Sequence, residues 1–280
     1  MTTKKILITG ANSYIGMSFE KWLSQWPDEY SVETVDMIDG SWREKSFAGY
    51  DVVFHVAGIV HKKESPDNMD LYMKINCDMA FEVAKKAKED NVSQFIFMST
   101  MSVYGLAGSL GAVTIIDEKT AEKPNSYYGK SKLAAEKKIS SLISDKFLVA
   151  ILRPPMIYGP NCKGNYLALE KIVKKNIVFP KINNQRSVLS IENFCNFLVI
   201  CIENNYFGIY FPQDPEYMDT TKQISLIAKN INKKIYFLRL LNPFIYFISI
   251  FTDMPVKAFG NLVYSKEMKC ISNDFMQSEG

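Results

Sequence analysis

The sequence predicts an α/β fold: a doubly wound parallel sheet covered by helices, followed by a smaller C-terminal lobe. Three observations carry this prediction. Short β-rich runs alternate with helical stretches through the first half of the 280-residue chain, the rhythm of βαβ units. The runs are almost continuously apolar, as strands covered on both faces by helices should be. The first run passes straight into a glycine-containing turn and then a helix, the way such folds open.

The elements follow in order. Lys5–Thr9, Ser31–Val35, Asp51–Val56, Gln94–Ser99 and Phe147–Leu152 read as strands. Between them, Tyr14–Trp26, Asp67–Asp90 and Ser126–Ser144 read as helices; in the second, Leu71, Ile75, Met79 and Val83 recur every four residues, which predicts the buried stripe. After Arg153 the rhythm breaks into a Pro-, Gly- and Asn-rich loop over 153–165, a composition that suits a functional connection. A helix near Tyr166–Lys175, a strand near Ser187–Ile191, a helix to Glu203, a strand near Ile209–Phe211 and a helix near Thr220–Ile231 come next. The expected domains are residues 1–153, which form the sheet, and 154–280, a lobe with some elements returning to it. The run Ile235–Phe251 is strongly apolar but interrupted by Arg239, Asn242 and Pro243. It falls short of the roughly 20 unbroken apolar residues of a spanning helix. A buried strand and helix, with no membrane insertion, is the expectation there.

Composition excludes several classes. With 33 basic against 30 acidic residues, net charge is only +3 and spread along the chain, so no nucleic-acid footprint appears. The five cysteines are odd in number and never spaced CxxC. A disulfide framework or a zinc site is therefore not expected, no metal is assigned, and a reducing cytoplasm is the expected compartment. The start MTTKKILITG does not read as a signal peptide. Cys77 and Cys195 read as small buried hydrophobes, and His61, Lys62 and Lys63 as a solvated loop.

Chemistry concentrates at the ends of the predicted strands. Gly10, Asn12, Ser13, Tyr14, Ile15 and Gly16 lie at the first strand-to-helix junction. Glycines there let the backbone turn tightly, and the helix start offers N–H groups to a pyrophosphate. Asp36 closes the second strand 26 residues after Gly10. Its carboxylate can accept both hydroxyls of an adenosine ribose and would repel a 2′-phosphate, favouring NAD over NADP. Asp51, opening the third strand, either caps that strand or accepts the adenine amino group. Tyr128 and Lys132 form a YxxxK at a helix start, four apart and therefore on one face. A Lys ammonium beside a phenol favours the phenolate, which suits proton exchange with a sugar hydroxyl. Ser99 closes the fourth strand and Thr100 and Ser102 follow it, at the end where ligands bind in open α/β sheets.

Taken together, these pieces resemble the extended short-chain dehydrogenase/reductase superfamily, specifically its NAD-dependent nucleotide-sugar epimerase/dehydratase branch, from Lys4 to about Asn204. The turn resembles TGxxGxxG with Ser13 in place of the middle glycine. The resemblance implies a Rossmann-like fold. It assigns Thr100 as the catalytic Ser/Thr, Tyr128 as the acid/base and Lys132 as the lysine on the nicotinamide ribose. His55-Val56-Ala57-Gly58 looks like the HxAG strand end lining the cofactor, and Asn76 matches an asparagine supporting the site. Arg153–Pro160, including Pro155, resembles RxxNVYGP, with Met156 where many members carry Asn. Arg186 heads a stretch resembling RDYIHVDD, whose arginine grips the substrate pyrophosphate; Thr100 and Ser102 join it as substrate-binding candidates.

The departures bear on the reaction. Family dehydratases place Asp-Glu directly after the catalytic Thr, whereas this chain has Met101 and Ser102, which cannot do acid/base work near neutrality. Two readings remain: a 4-epimerase of a UDP-hexose or UDP-N-acetylhexosamine, and an NAD(P)H-dependent 4-ketoreductase of a UDP- or dTDP-4-keto-6-deoxy sugar. Both imply NAD chemistry at C4 of a nucleotide sugar, with a UDP-sugar as the expected partner; a homodimer stays open.

Overall fold

The structure, a computed structural model, describes residues 3–60, 64–65, 68–160, 162, 165–252 and 254–268. The loop His61–Lys63 therefore lies outside the described residues. Along the first part of the chain run β1 (Lys4–Thr9), α1 (Tyr14–Leu23), β2 (Tyr30–Val35), β3 (Val52–His55) and α2 (Met69–Tyr72). A π-turn (Met73–Asp78) leads into α3 (Met79–Glu89), then β4 (Gln94–Met98), β5 (Val113–Ile116), α4 (Tyr127–Ser140) and β6 (Leu148–Leu152). The rest comprises β7 (Met156–Tyr158), α5 (Asn165–Lys175), β8 (Val178–Pro180), β9 (Val188–Ser190), α6 (Ile191–Glu203) and β10 (Gly208–Tyr210). It closes with α7 (Thr220–Asn230), β11 (Tyr236–Leu238), α8 (Asn242–Ser249), α9 (Met254–Phe259) and β12 (Asn261–Tyr264).

Two compact units form. The first contains Met1–Gly105, Glu122–Pro154 and Ile191–Pro212; the second contains Leu106–Ala121, Pro155–Ser190 and Gln213–Gly280.

The first unit holds a six-stranded sheet in the order β10-β6-β4-β3-β1-β2, every pair parallel. Strand order reverses beside β1, which leaves a crevice outside the carboxyl ends of β1 and β3. The fold expectation holds, and the apolar runs explain it: β3 and β4 are buried along their whole length. Phe95, Phe97, Val149 and Ile151 pack with Val83, Ala84 and Ala87 of α3 and Ile139 of α4 in one core. Cys77 and Cys195 are buried as expected, and burial pushes both thiols up, Cys195 to about 12.

One detail of the long helix differs from its sequence pattern. Leu71, Ile75 and Met79 are only half-buried, and Tyr72, Asn76 and Ala80 take the fully buried places. The buried stripe runs one position further along the chain from Tyr72, ahead of the π-turn, to Ala80, while Val83 is buried as expected.

The second unit is built from two-stranded parallel pairs, β5 with β12, β7 with β9 and β8 with β11. Its small core gathers Val173, Phe179, Ile224 and Ile227. Here one expectation fails: the run 235–251 is not core. Leu240 is 88% exposed, Phe244 69% and Phe251 71%, because three-residue β11 and eight-residue α8 each turn only one narrow side inward. Among the described residues no helix is long and apolar enough to cross a membrane.

Candidate active site

The first-unit candidates gather at the carboxyl ends of β1, β3 and β4. The turn after β1 is held by backbone: the N–H groups of Gly10 and Ala11 both donate to the Val35 carbonyl, at 2.9 and 3.1 Å, which brings the turn beside Asp36. Gly10 has φ +106°, and a Cβ there would stand 3.0 Å from the Ala57 backbone, so only glycine lets the ends of β1 and β3 approach this closely. The left-handed residue of the turn proper is Asn12, at φ +67°. Ser13 is extended and its hydroxyl accepts the Gly16 N–H at 3.0 Å. That explains the missing middle glycine: the position needs no positive φ, and a serine caps the helix instead. Tyr14 and Ile15 form the first turn of α1. Asp36 itself turns back to accept the Ile38 N–H at 2.8 Å.

Past β3, His55 is fully buried with its Nδ1 2.7 Å from the Thr9 hydroxyl. Burial, aided by the charge of Lys132, lowers its pKa to about 3, so the ring is neutral. Val56 follows, its N–H donating to the Thr9 carbonyl at 3.2 Å. At Gly58 a Cβ would stand 2.8 Å from Asn76 Oδ1 and 3.4 Å from Lys132 Nζ. That glycine therefore marks a cradle in which Asn76 and Lys132 come together.

Asn76, in the π-turn, is fully buried and ties three elements. Its amide exchanges hydrogen bonds with both backbone groups of Ile59, at 2.8 and 3.0 Å, and donates to Ser131 Oγ at 3.1 Å. Ser131 in turn donates to the Tyr128 carbonyl at 2.9 Å. The first turn of α4 is capped twice, by Ser126 accepting from Gly129 at 3.0 Å and by Glu64 accepting from Tyr127 at 2.7 Å.

Two side chains then meet, with a third one turn further along α4. Thr100 starts a 3-10 turn, accepts the Ser102 N–H at 3.1 Å, lies 3.2 Å from Ser102 Oγ and hydrogen-bonds Tyr128. Burial raises the Tyr128 phenol to about 12, with the Thr100 hydrogen bond pulling the other way. Lys132, four residues on and buried, donates to the Met98 carbonyl at 2.7 Å; burial lowers it to about 8, opposed by Glu136. The expected lowering of the phenol by Lys132 is thus absent, because the ammonium is engaged by the β4 carbonyl and burial dominates.

Sequence reasoning missed what supports this constellation. Glu136 and Arg153 form a buried ion pair at 2.6 Å, each side chain 3% exposed. Arg153 also donates to Tyr104 at 3.0 Å and Glu122 at 2.5 Å, and Ser99 hydrogen-bonds Glu136. Burial works against the guanidinium charge, but the Glu136 carboxylate outweighs it and holds the Arg153 pKa above its ordinary value. The signal was present: Tyr128, Lys132 and Glu136 are spaced i, i+4, i+8 on one face of α4.

Asp51 is not brought to the site. It precedes β3 at the amino end of the sheet, where its carboxylate accepts the Lys5 N–H at 2.8 Å. Of its two sequence readings, the strand cap is the one the structure supports. In the second unit, Pro155 precedes β7 and Arg186 precedes β9. The Arg186 guanidinium donates to the carbonyls of Lys257 and Ala258, at 2.5 and 3.4 Å, and burial lowers its pKa. No described carboxylate pairs with it.

A crevice at a strand-order reversal, a glycine turn leading into a helix, and a Thr–Tyr–Lys set define a dinucleotide-dependent oxidoreductase type of site. Residues 6–209 match the NAD dependent epimerase/dehydratase family, and the chain belongs to that family. It is 28% identical over 254 residues to the UDP-glucose 4-epimerase of Vibrio cholerae, covering 82% of this chain and 76% of that protein. It is 24% identical over 258 residues to the N-acetyl-alpha-D-glucosaminyl-diphospho-ditrans,octacis-undecaprenol 4-epimerase of Escherichia coli O157:H7, covering 85% and 76%. Among solved structures, the NAD complex of UDP-glucuronic acid 4-epimerase from Bacillus cereus superposes with a TM-score of 0.68 at 20% identity, covering 93% of this chain and 88% of that one. The protein is an NAD-dependent enzyme of the extended short-chain dehydrogenase/reductase class. The residues present suit that cofactor: Gly10 and Gly58 keep open a cradle that side chains would fill, and Asp36 lies beside the turn.

Proposed function

We propose that the chain interconverts the C4 epimers of a nucleotide sugar, a UDP-hexose or UDP-N-acetylhexosamine. The observation that carries this is the hydrogen-bonded Thr100–Tyr128 pair with Lys132 one turn further along α4, and Met101 and Ser102 directly after Thr100, where dehydration would need an acid and a base.

In this reading the turn from Gly10 to Gly16 holds the cofactor pyrophosphate, Asp36 accepts the adenosine ribose hydroxyls, and Lys132 turns from Met98 to the second ribose. Bound NAD supplies the acceptor for the C4 hydride and its return. Tyr128 takes the C4 hydroxyl proton and gives it back, and Thr100 holds the same oxygen by hydrogen bonding. Asn76 keeps Tyr128 in place through Ser131. Arg186, with no carboxylate partner among the described residues, meets the substrate pyrophosphate, for which its planar fork is suited. The enzyme works in the cytoplasm, and a homodimer is its proposed assembly.

The test is incubation of the purified protein with UDP-glucose, UDP-GlcNAc and a UDP- or dTDP-4-keto-6-deoxy sugar, with and without NADH. Interconversion of a UDP-sugar without added NADH is expected. Reaction of the keto sugar alone, consuming NADH, would replace the epimerase with a 4-ketoreductase using the same residues.

A further inference from the structure

The segment Tyr236–Met254 is packed inside out. In β11, alternation turns Phe237 onto the core with Phe179 and leaves Tyr236 and Leu238 facing solvent. In α8 the more sheltered positions are Asn242, Ile245 and Ser249, whereas Phe244, Tyr246 and Phe247 stand outside. Asn242 anchors the helix by donating to the Lys181 carbonyl at 2.8 Å. A surface helix ordinarily turns its apolar stripe inward. Here the aromatic stripe points out and continues into Ile250, Phe251 and Met254, at 75, 71 and 69% exposure. Contiguous exposed apolar surface of this kind marks a contact with something that removes it from water.

The charge around it says what that is. Between Thr220 and Gly260 the sequence carries six basic residues (Lys222, Lys229, Lys233, Lys234, Arg239, Lys257) and a single acid, Asp253. Lys181, Lys234, Arg239 and Lys257 are exposed, and none of them makes an ion pair among the described residues. Lys234 lies over the Tyr236 ring at 5.6 Å. A twofold contact with a second copy through this face would set the basic rim against itself. An anionic lipid surface satisfies both features at once: acyl chains receive the phenylalanines and headgroups receive the rim. At eight residues α8 is about 12 Å long, far short of a span, so it lies in the interface plane.

We propose that the Tyr236–Met254 surface docks the enzyme on an anionic bilayer. The proposal is independent of the epimerase reading, because its readout is binding and not turnover. Flotation of the full chain with phosphatidylcholine vesicles, with and without phosphatidylglycerol, tests it. Wild type should float with the anionic vesicles, weakly or not at all with neutral ones, and less as salt rises. The double substitution Phe244→Ser/Phe247→Ser should lower partitioning by at least about tenfold, since each ring forfeits its transfer into the apolar layer. Arg239→Glu should weaken binding to anionic vesicles selectively, and serves as the comparison if the double variant loses its circular dichroism signature. Absence of wild type from anionic vesicles, or floating variants indistinguishable from it, overturns the proposal. So does self-association in sedimentation that depends on Phe244 and Phe247 while vesicle binding is absent.

Discussion

Lys132 is held where a lysine is costly. It is buried, and burial brings its pKa down to about 8 from an ordinary 10.5. Between those values the unfolded chain holds a proton that the folded chain has released. Stability therefore rises with pH through that window, and below it the folded protein carries the full penalty. The shift corresponds to about 3 kcal/mol. Lys132→Met should accordingly raise thermal stability near pH 7 by about 2–3 kcal/mol while removing activity, with the gain shrinking as pH rises above about 8 and gone by about 10.5. Equal melting temperatures for the two proteins near pH 7 would contradict this. His55 acts in the acid range. Its pKa falls from 6.5 to about 3, so stability should drop as pH falls from 6.5 towards 3, by about 1.4 kcal/mol per unit. Denaturant melts of His55→Asn across that range should show a flatter acid limb. Tyr128→Phe should nearly abolish turnover and leave NAD affinity unchanged, because the phenol oxygen exchanges a proton only in the reaction; Tyr127→Phe should be mild by comparison. The reacting residues were legible in the sequence because Thr100, Tyr128 and Lys132 sit at motif spacings after predicted strands. Their protonation was not. A charge beside a phenol suggested a lowered pKa, but the direction depends on depth and on the Met98 carbonyl, neither of which a sequence displays.

Element-level support lies in α4 and the π-turn. The inward face of α4 carries Tyr128, Lys132 and Glu136, and Glu136 is locked to Arg153 in a pair that is 3% exposed on both sides. Removing one partner leaves a buried uncompensated charge, so Arg153→Met should destabilise by about 3–5 kcal/mol. A reading of calorimetric stability within about 0.5 kcal/mol of wild type would show that the pair is dispensable. Strands β1, β3, β4 and β6 were readable because each is an almost unbroken apolar run that is buried on both faces. β5, β7, β8, β11 and β12 have three or four residues each, too few for a period to register. The inward face of the helix before α3 escaped for a different reason. A four-residue apolar repeat does not say which of two adjacent helix faces turns inward, and the burial of Tyr72, Asn76 and Ala80 in place of Leu71, Ile75 and Met79 decides it.

At the scale of the molecule, one unit supplies the sheet, the cofactor-type crevice and the Thr–Tyr–Lys set, and the other carries Arg186 and the exposed aromatic surface. The run from Ile235 to Phe251 shows where composition misleads. Apolar content predicted burial, but a small lobe of three- and four-residue strands has too little core to cover it. The family is settled by the match over residues 6–209, whereas the direction of hydride flow belongs to the proposal. The most direct measurement uses a UDP-hexose deuterated at C4, incubated with the purified enzyme without added NADH and analysed by mass spectrometry and NMR. The epimerase account predicts interconversion of the C4 epimers with the deuterium retained at C4 and no net change in NADH absorbance. No interconversion of the labelled sugar, together with one NADH oxidised for each 4-keto-6-deoxy sugar reduced, would contradict it.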